Sequence, residues 1–469
     1  MKLTMLRRML VQSFTIILSL NLVAQQSSKK SDTLHYTVPS VTVSSTRANA
    51  ITTPVTFTEL TQAQIREQHS AFDVATLLSD LPSTIFYSDN ANGIGYSYLT
   101  IRGFDQRRIA VLVNGIPQND PEDHNVYWID FPDITSSLDN IQVQRGAGLI
   151  NYGAAAIGGS INLTTSNFAH QRYARFTLGI GMQEHAATGL NAAPADVSNL
   201  STSKTAFEYS SGLEAGKYAY YMRLSRIQSR GYRDNSWADL TSFFVSAARF
   251  DDAISTQINI FGAPIADGLA YMGLPKSYIT DPTLRRANFN YWAYDATSLN
   301  SSVPTQKVVD STRRRVQELE NFSQPHFEIL NDISLGENIS LKSSLFFYSG
   351  AGFFDYDGSL ANARTLRLTK QFGGSDSISS PTNALIRAQV SNRQGGWIPR
   401  VVFKHTGGEL TVGAELRQHR SERWANIHYA ENLPAGFDPE FRIYSYEGAR
   451  NIYSLFAREQ YSLSEKKFH

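Results

Sequence analysis

Residues that could do covalent chemistry are few, and their surroundings do not suit it. Ser27-Ser28-Lys29-Lys30 has the S-x-x-K spacing, and Ser88-Asp89-Asn90 the S-D-N spacing, of serine β-lactamases. Ser27, however, falls in a polar segment rather than at the start of a helix, and the sequence contains no K-T-G motif. We therefore expect no catalytic residues and no enzyme.

The composition also argues against a metal or cofactor site. The chain has 469 residues and no cysteine, which excludes a thiolate nucleophile, a disulfide and a cysteine-ligated zinc or iron–sulfur site. Its 10 histidines are scattered, and neither H-E-x-x-H nor G-x-x-x-x-G-K-[ST] occurs. We expect no bound metal and no cofactor.

Two segments concentrate side chains suited to binding a small ligand. Residues 87–98 and 118–128 combine aromatic groups, which give rigid apolar contact, with polar groups that fix orientation. A pair of arginines further along could bind an anionic chelate through bidentate hydrogen bonds. Each residue alone would also fit an ordinary loop surface. The candidate ligand-binding residues are Tyr87, Asp89, Asn90, Tyr96, Asp120, Glu122, His124, Tyr127, Trp128, Arg285 and Arg286.

The N-terminus has the pattern of an export signal. Lys2, Arg7 and Arg8 precede a short apolar stretch at residues 14–23, and Ala24 ends a small-residue cleavage site. We expect a signal peptide at residues 1–24, with a buried helix as the alternative. The Ser-, Lys- and Gln-rich start of residues 25–47 predicts a flexible linker.

Residues 48–168 alternate short helical and strand patterns. Thr61 and Gln64 have the spacing of a capping box at the start of a helix. A second helix is predicted over 74–81, capped by Asp73 and ended by Pro82.

Strand patterns follow in the same module. Asn114-Gly115 is a strong turn signal directly after the second of them. The predicted strands cover residues 98–102, 109–113, 141–145 and 160–165.

Four motifs in this module occur in a recognisable order. They are LTIRG at 99–103, VLVNGIP at 111–117, IQVQRG at 141–146, and the glycine-rich segment 151–162. Together they resemble the plug domain of TonB-dependent outer-membrane receptors. The resemblance implies a mainly β protein in which a small α/β plug domain, residues 48–168, precedes an antiparallel transmembrane β-barrel.

Residues 169–469 carry the alternation that a barrel wall requires. Apolar Leu410, Val412 and Leu416 alternate with polar Thr411 and Glu415, a period of two that a half-buried soluble sheet would also show. Residues 262–322 alternate little and predict one long outer loop. The ten predicted strands lie near 173–183, 205–213, 218–228, 240–250, 253–261, 323–335, 339–348, 395–404, 409–418 and 452–463.

Plugged outer-membrane transporters have about 22 strands, so ten strands make about half a barrel. Because an open barrel would leave backbone groups unpaired in lipid, we expect a fragment or a truncated receptor.

The resemblance also implies specific contacts. Residues 38–47 resemble the segment called the TonB box, so we expect Val38, Val41, Thr42 and Val43 to pair as a strand with the TonB protein. The alternative is an ordinary first strand of the plug.

Two arginines match the family's plug arginines, which pair with barrel glutamates. They are Arg102 and Arg145, and Glu415 and Glu459 are the candidate partners. The alternative is four unrelated surface charges.

By resemblance, the protein is a receptor in the Gram-negative outer membrane that imports a scarce ligand by energy-coupled movement of the plug. A ferric siderophore or other iron chelate is the first expectation; cobalamin, haem or an oligosaccharide is the alternative, as is a fragment that transports nothing or a secreted β-rich binding protein. The expected partners are TonB, the ligand and outer-membrane lipid. A net charge of +1 argues against nucleic acid.

Overall fold

The computed structural model describes most of the chain after residue 54. The predicted signal peptide and the TonB-box residues Val38, Val41, Thr42 and Val43 lie outside the described residues. In the described part, no helix is both long and apolar enough to cross a membrane. The described residues are 48, 55–68, 71–147, 156–166, 168–182, 201–281, 284–290, 318–358, 361–374 and 381–461.

The first module contains two small sheets. A five-stranded sheet has the order β1-β7-β8-β5-β6, in which β5 and β8 are parallel and the other neighbours antiparallel, and β2-β3-β4 form an antiparallel sheet. All four predicted strands are confirmed, as β3, β5, β7 and β8. The strands are β1 (Thr56–Thr61), β2 (Thr84–Ser88), β3 (Ser97–Ile101), β4 (Phe104–Asp105), β5 (Ile109–Val113), β6 (Ile116–Pro117), β7 (Leu138–Arg145) and β8 (Gly159–Thr165).

Helix α1 (Gln62–Gln68) begins with the predicted capping box. The Thr61 amide donates to Gln64 Oε1 at 2.9 Å, and the Gln64 amide donates to the Thr61 hydroxyl at 3.4 Å. The sequence alone was sufficient to predict this capping box because both of its partners lie within one helical turn.

Helix α2 (Val74–Leu77) is shorter than predicted and is not capped by the Asp73 side chain. The Asp73 carboxylate instead accepts a hydrogen bond of 2.6 Å from the Ser97 hydroxyl of β3. The apolar stripe at 74–81 therefore marks residues buried in the core rather than two full helical turns, and a tertiary contact has replaced the expected cap.

The turn between β5 and β6 is the one that the sequence predicted. Asn114 and Gly115 both have positive φ, 52° and 75°. Positive φ at both central residues is the conformation of a type I′ hairpin turn, which Asn-Gly favours.

The second module is a twelve-stranded antiparallel sheet. β13 and β14 both pair with β12, and β15 and β16 both pair with β17. Each of these two pairs is thus one long strand interrupted near a proline, Pro264 or Pro325, which cannot donate to the ladder. The strands are β9 (Arg172–Met182), β10 (Ser201–Ser211), β11 (Tyr218–Ser229), β12 (Ala238–Phe250), β13 (Ile254–Gly262), β14 (Pro264–Gly268), β15 (Leu319–Ser323), β16 (His326–Ser334), β17 (Ile339–Asp357), β18 (Thr382–His405), β19 (Gly408–Glu431) and β20 (Arg442–Tyr461).

Several strands are longer than the sequence predicted. β18 and β19 each have 24 residues, whereas about 9–11 residues cross a membrane. The missed halves lie beyond the apolar band, where the outward face need not be apolar and alternation is lost. For the same reason the predicted loop 262–322 was partly wrong: β14 and β15 lie in it and pair with each other.

The two faces of the large sheet differ as the alternation predicted. The apolar outward side chains are exposed and include Leu178, Met222, Val245, Ile258, Phe347, Val401, Leu416 and Leu455. The opposite, inward face carries buried polar groups, among them Glu208, Arg223, Gln257, Asn259, Glu328, Arg400, Glu415 and His419.

The first module packs against the inward face of the large sheet. Residues of the first module such as Ile141 and Ile161 share one apolar core with Tyr221 and Phe244 of the sheet. The Phe168 ring stacks on the Tyr221 ring at 3.7 Å between centroids.

The connections of the large sheet differ in length at its two edges. Short turns at 212–217, 251–253, 335–338 and 406–407 share one edge, called here the short-turn end. Longer connections begin at the opposite edge, the long-loop end, where β14, β17 and β19 end. In outer-membrane barrels the short turns are periplasmic and the long loops extracellular.

Candidate functional site

A cavity of about 120 Å³ lies between the first module and the inward face of the large sheet, towards the long-loop end. It joins two of the segments that sequence analysis singled out, because Tyr96, Asp120 and Tyr127 all line it. Both modules supply aromatic rings and carboxylates. The other lining residues are Gln118, Asp130, Phe131, Glu320, Phe322, Gln324, Tyr348, Phe354, Val390, Asn392 and Arg423.

Tyr96 connects the two modules at this cavity. Its hydroxyl donates to Glu320 Oε1 of β15 at 2.8 Å, and its ring meets the Tyr127 ring edge-on at 6.3 Å. Burial, and then the Glu320 charge, hold the pKa of Tyr96 well above its ordinary value. Tyr96 therefore stays a neutral phenol whose hydroxyl donates a hydrogen bond to Glu320.

Glu122 fastens the turn at 120–124 to β19. Its carboxylate accepts from His419 Nε2 at 3.1 Å, from Arg423 Nε at 3.0 Å and from the Ser421 hydroxyl. Burial alone would raise the pKa of Glu122, but the Ser421 hydrogen bond and the Arg423 charge outweigh it and lower the pKa.

The same turn contacts β20. The guanidinium of Arg450 donates to the carbonyl of Pro121 and lies 3.3 Å from His124 Nε2. Both Glu122 and His124 are thus engaged with the sheet, and any ligand that they bind would have to displace these contacts.

The segment at 87–92 is held by contacts of its own. Asn90 Nδ2 donates to the Ser236 carbonyl at 2.7 Å, so this buried amide anchors the segment to the loop after β11. Asp89 accepts from the Tyr98 hydroxyl at 3.1 Å, and burial raises the pKa of Asp89 to about 6. The exposed Tyr87 ring stacks on Tyr98 at 4.6 Å.

Trp128 is a core residue, which corrects the expectation that it faces a ligand. It is 2 % exposed, and its indole Nε1 donates to Gln106 Oε1 at 3.1 Å. The short 3₁₀ helix Trp128–Asp130 follows the turn at 120–124 and places the ring in the apolar core.

Arg285 and Arg286 do not line the cavity. Both belong to the 3₁₀ helix Leu284–Arg286 after β14, and Arg285 is buried. The Arg286 guanidinium lies 5.7 Å from the centroid of the Tyr232 ring. The Tyr232 amide donates to the Asn90 carbonyl at 3.0 Å, and the anion-binding role of the two arginines stays a prediction.

Arg102 and Arg145 lie beside each other and have partners other than glutamate. Arg102 Nη2 donates to Thr56 Oγ1 at 3.3 Å, and both terminal nitrogens of Arg145 donate to Thr58 Oγ1 at 2.7 and 2.8 Å. Burial, and then the Arg102 charge, lower the pKa of Arg145. Among the described residues, no ion pair joins either arginine to Glu415 or Glu459.

Glu415 and Glu459 each form an ion pair with another residue of the large sheet. Glu415 faces inward, as predicted, but forms an ion pair with Arg417 and accepts from the Ser454 hydroxyl at 3.2 Å. Glu459 pairs with His405 at 2.9 Å. Glu459 lies opposite Leu410 and so shares the outward face with Tyr453 and Leu455, which explains why it cannot reach the plug.

The principal ionic contact between the modules has the opposite polarity to the one expected. Asp133 of the first module binds Arg223 of β11 at 2.6 Å and Lys204 of β10 at 2.5 Å, with all three side chains buried. The two-residue alternation along β10 and β11 could have predicted that Lys204 and Arg223 face inward. No sequence pattern near Asp133 predicted that it is their partner.

Further hydrogen bonds join the two modules. Asn114 Nδ2 donates to Glu328 Oε2 at 2.8 Å, and Gln257 Nε2 donates to the Ser166 carbonyl at 3.2 Å. Arg400 Nη2 donates to the Gly115 carbonyl at 3.3 Å. The turn at 114–115 therefore reaches into the inward face of the sheet.

The comparisons with known proteins agree with this architecture. Residues 49–160 match the family described as the TonB-dependent receptor plug domain. No curated protein matches the chain in sequence.

Solved structures share the fold at low identity. The unliganded ferric citrate transporter FecA is 13 % identical with a TM-score of 0.59, and 86 % of this chain covers 53 % of that one. The siderophore receptor PirA from Acinetobacter baumannii is 12 % identical with a TM-score of 0.53, the coverage being 87 % and 55 %. For the ferripyoverdine receptor of the Pseudomonas aeruginosa outer membrane, identity is 10 %, the TM-score 0.59, and the coverage 88 % and 50 %.

The chain thus spans about half the length of these structures. Its first module is the plug, and the large sheet corresponds to the strands that follow the plug in them. The family match identifies residues 49–160 as a TonB-dependent receptor plug domain, and the antiparallel sheet after it shares the fold of these solved structures.

Proposed function

We propose that this receptor lies in the outer membrane and imports a scarce ligand, an iron chelate such as a ferric siderophore, by energy-coupled movement of its plug. The observation that carries the proposal is the cavity where Tyr96, Asp120 and Tyr127 of the plug meet the long-loop end of the sheet. A ligand bound there contacts both modules, so movement of the plug would change its site.

The choice of ligand class is supported by the similar structures. Their names describe a ferric citrate transporter, a siderophore receptor and a ferripyoverdine receptor. Cobalamin, haem and oligosaccharides are the competing ligands, and a receptor that binds without transport is the competing activity.

Energy must reach the plug from elsewhere, and we propose that TonB supplies it through residues 38–43. Val41, Thr42 and Val43 form a β-branched run suited to adding a strand to a partner's sheet, an interaction made mostly by backbone hydrogen bonds. The polar contacts that seat the plug suit movement, since water can replace the hydrogen bonds that are broken.

Uptake of radioactive iron chelates by iron-limited cells tests this function. Val41→Pro removes a backbone donor from the proposed strand, whereas the matched control Val41→Ala keeps the backbone. We expect ligand binding by both variants and uptake only by Val41→Ala. Equal uptake by both would contradict coupling through this segment, and binding of cobalamin, haem or a glycan instead of iron chelates would reassign the ligand.

A further inference from the structure

Two acidic side chains, Asp130 and Glu320, line the cavity where the plug contacts the long-loop end, and a third, Asp267, lies buried beside Glu320. Asp130 belongs to the plug, Asp267 to β14 and Glu320 to β15, and the last two are direct cross-strand partners. Asp267 is 0 % exposed and Glu320 is 7 % exposed. Because like charges directly opposite in a sheet repel, a positive charge or a proton must accompany this pair.

Other buried acids of this chain have cations of their own. Asp133 binds Lys204 and Arg223, and Asp355 binds Arg387. Across the described ranges, by contrast, no lysine, arginine or histidine forms an ion pair with Asp130, Asp267 or Glu320.

Few donors reach the acidic cluster. Tyr96 donates to Glu320 Oε1 at 2.8 Å. No amide, hydroxyl or charged group in the described part of the chain donates to Glu320 Oε2 or to either carboxyl oxygen of Asp267, and these two carboxyl groups hydrogen-bond to each other instead. Burial, followed by the charge of Glu320, raises the pKa of Asp130 well above its ordinary value. Burial therefore favours a proton on Asp130 while the cavity is empty, and a cation that binds there would take the place of that proton.

The surroundings of this cluster favour an organic cation over a metal ion. Asp130 and Glu320 line the cavity of about 120 Å³ together with aromatic side chains, whose ring faces attract cations. Arg423 also lines the cavity, but its guanidinium is paired with Glu122. Among the described residues, no group of three or more His, Cys, Asp or Glu side chains could hold a metal ion. The aromatic lining residues are Tyr96, Tyr127, Phe131, Phe322, Tyr348 and Phe354.

We propose that Asp130, Asp267 and Glu320 form a subsite for the positively charged end of the ligand, an alkylammonium or guanidinium group. The inference rests on the receptor function proposed above and adds that the imported molecule carries such a group. A cavity of this size accepts the end of a chain rather than a whole chelate, so the rest of the ligand extends towards the long-loop end.

Calorimetric titration of the full chain in detergent with n-butylammonium and n-butylguanidinium tests this subsite. Neutral 1-pentanol and anionic butyrate, of similar size, are the comparison probes. We expect both cations to bind about tenfold or more tightly than 1-pentanol, with butyrate not binding and added salt weakening the cations. Cations that bind no better than 1-pentanol, or are displaced equally by sodium or calcium, would overturn the proposal.

The double variant Asp267→Asn with Glu320→Gln provides the test on the residues. It should fold, because it removes repulsion without changing side-chain size, and it should lose about tenfold or more in cation affinity. Glu320→Gln alone is the second variant and should weaken binding in the same direction. Glu422→Gln is the matched control, since Glu422 already pairs with Arg442 on the same sheet at 2.7 Å. Unchanged cation affinity in folded Glu320→Gln protein would overturn the subsite.

Iron uptake by cells separates this inference from the proposed function. Cation binding with no iron uptake would contradict the proposed function and leave the subsite standing. Iron uptake without cation binding between about pH 5 and pH 8 would mean that the acidic pair holds a proton, and it would overturn the subsite alone.

Discussion

Arg223 of the large sheet donates from Nη1 to Oδ2 of Asp133 in the plug at 2.6 Å, and both side chains are almost fully buried. Lys204 binds the other oxygen of the same carboxylate. One plug acid thus faces two sheet cations, and this contact fixes the plug on β10 and β11. Such a pair specifies position, while its net contribution to stability is small as long as it stays intact.

Asp133→Asn should loosen the plug, because it leaves Lys204 and Arg223 buried without a counter-charge. Breaking a buried pair from one side costs about 3–5 kcal/mol. We expect faster proteolysis within the plug and a lower midpoint of thermal unfolding. Asp251→Asn, in an exposed pair with Lys217, is the control and should change neither measurement. Equal behaviour of the two variants would contradict the anchoring role of Asp133.

Asn114 should contribute to the free energy of unfolding through its backbone conformation and, separately, through its side-chain hydrogen bonds. Its φ of 52° is costly for alanine but not for glycine, and its amide donates to Glu328. Its Oδ1 also accepts from the Thr165 amide at 3.0 Å and from the Thr165 hydroxyl at 3.1 Å. Asn114→Gly should therefore lose these three hydrogen bonds, about 1 kcal/mol each, and Asn114→Ala should lose about 1–2 kcal/mol more. Chemical unfolding of both variants measures the difference. Identical unfolding free energies would show that the left-handed turn is not maintained.

Gly448→Ala should detach the turn at 120–124 from the sheet. A Cβ atom at Gly448 would lie within 2.5 Å of Ser421 Oγ and closer still to Glu122 Oε1, so the side chains of Ser421 and Glu122 must shift. Hydrogen exchange at the amides of 122–125 should accelerate. Gly273→Ala, where an added Cβ meets nothing within 4 Å, is the control. Unchanged hydrogen exchange at these amides in Gly448→Ala would contradict the role of Glu122 in holding the turn on the sheet.

The buried Asp73 carboxyl should make the plug less stable as pH rises. Burial raises its pKa from 3.8 to about 7, although the Ser97 hydrogen bond acts in the opposite direction. Between these values the folded protein holds a proton that the unfolded chain has released, so the free energy of unfolding falls as pH rises from about 4 to about 7. Asp73→Asn should remove this dependence. Thermal unfolding across that pH range measures it, and the same slope in both proteins would contradict the assignment.

Sequence-local signals predicted the parts of the fold that depend on neighbours in the chain. Thr61 with Gln64 and Asn114 with Gly115 act within one turn, and alternation at Leu410, Val412 and Leu416 reports a local periodicity. These features needed no knowledge of distant partners.

The site was predicted less completely because its contacts join residues far apart in sequence. Tyr96, Asp120 and Tyr127 do line one cavity, but Trp128 turns into the core and Arg285 lies elsewhere. Asp133 was missed because its cations are contributed by β10 and β11. Glu459 was assigned to the plug although the register of β20 places it on the outward face.

Locking the plug to the sheet tests the central claim, that the ligand crosses by movement of the plug. Asn92 Nδ2 donates to Ser229 Oγ at 2.6 Å, and the chain has no cysteine, so any intramolecular disulfide in Asn92→Cys with Ser229→Cys joins these two positions. Iron-chelate uptake should fall to background in the oxidised variant while ligand binding persists, and reduction should restore uptake. Full uptake by completely oxidised protein would contradict the account.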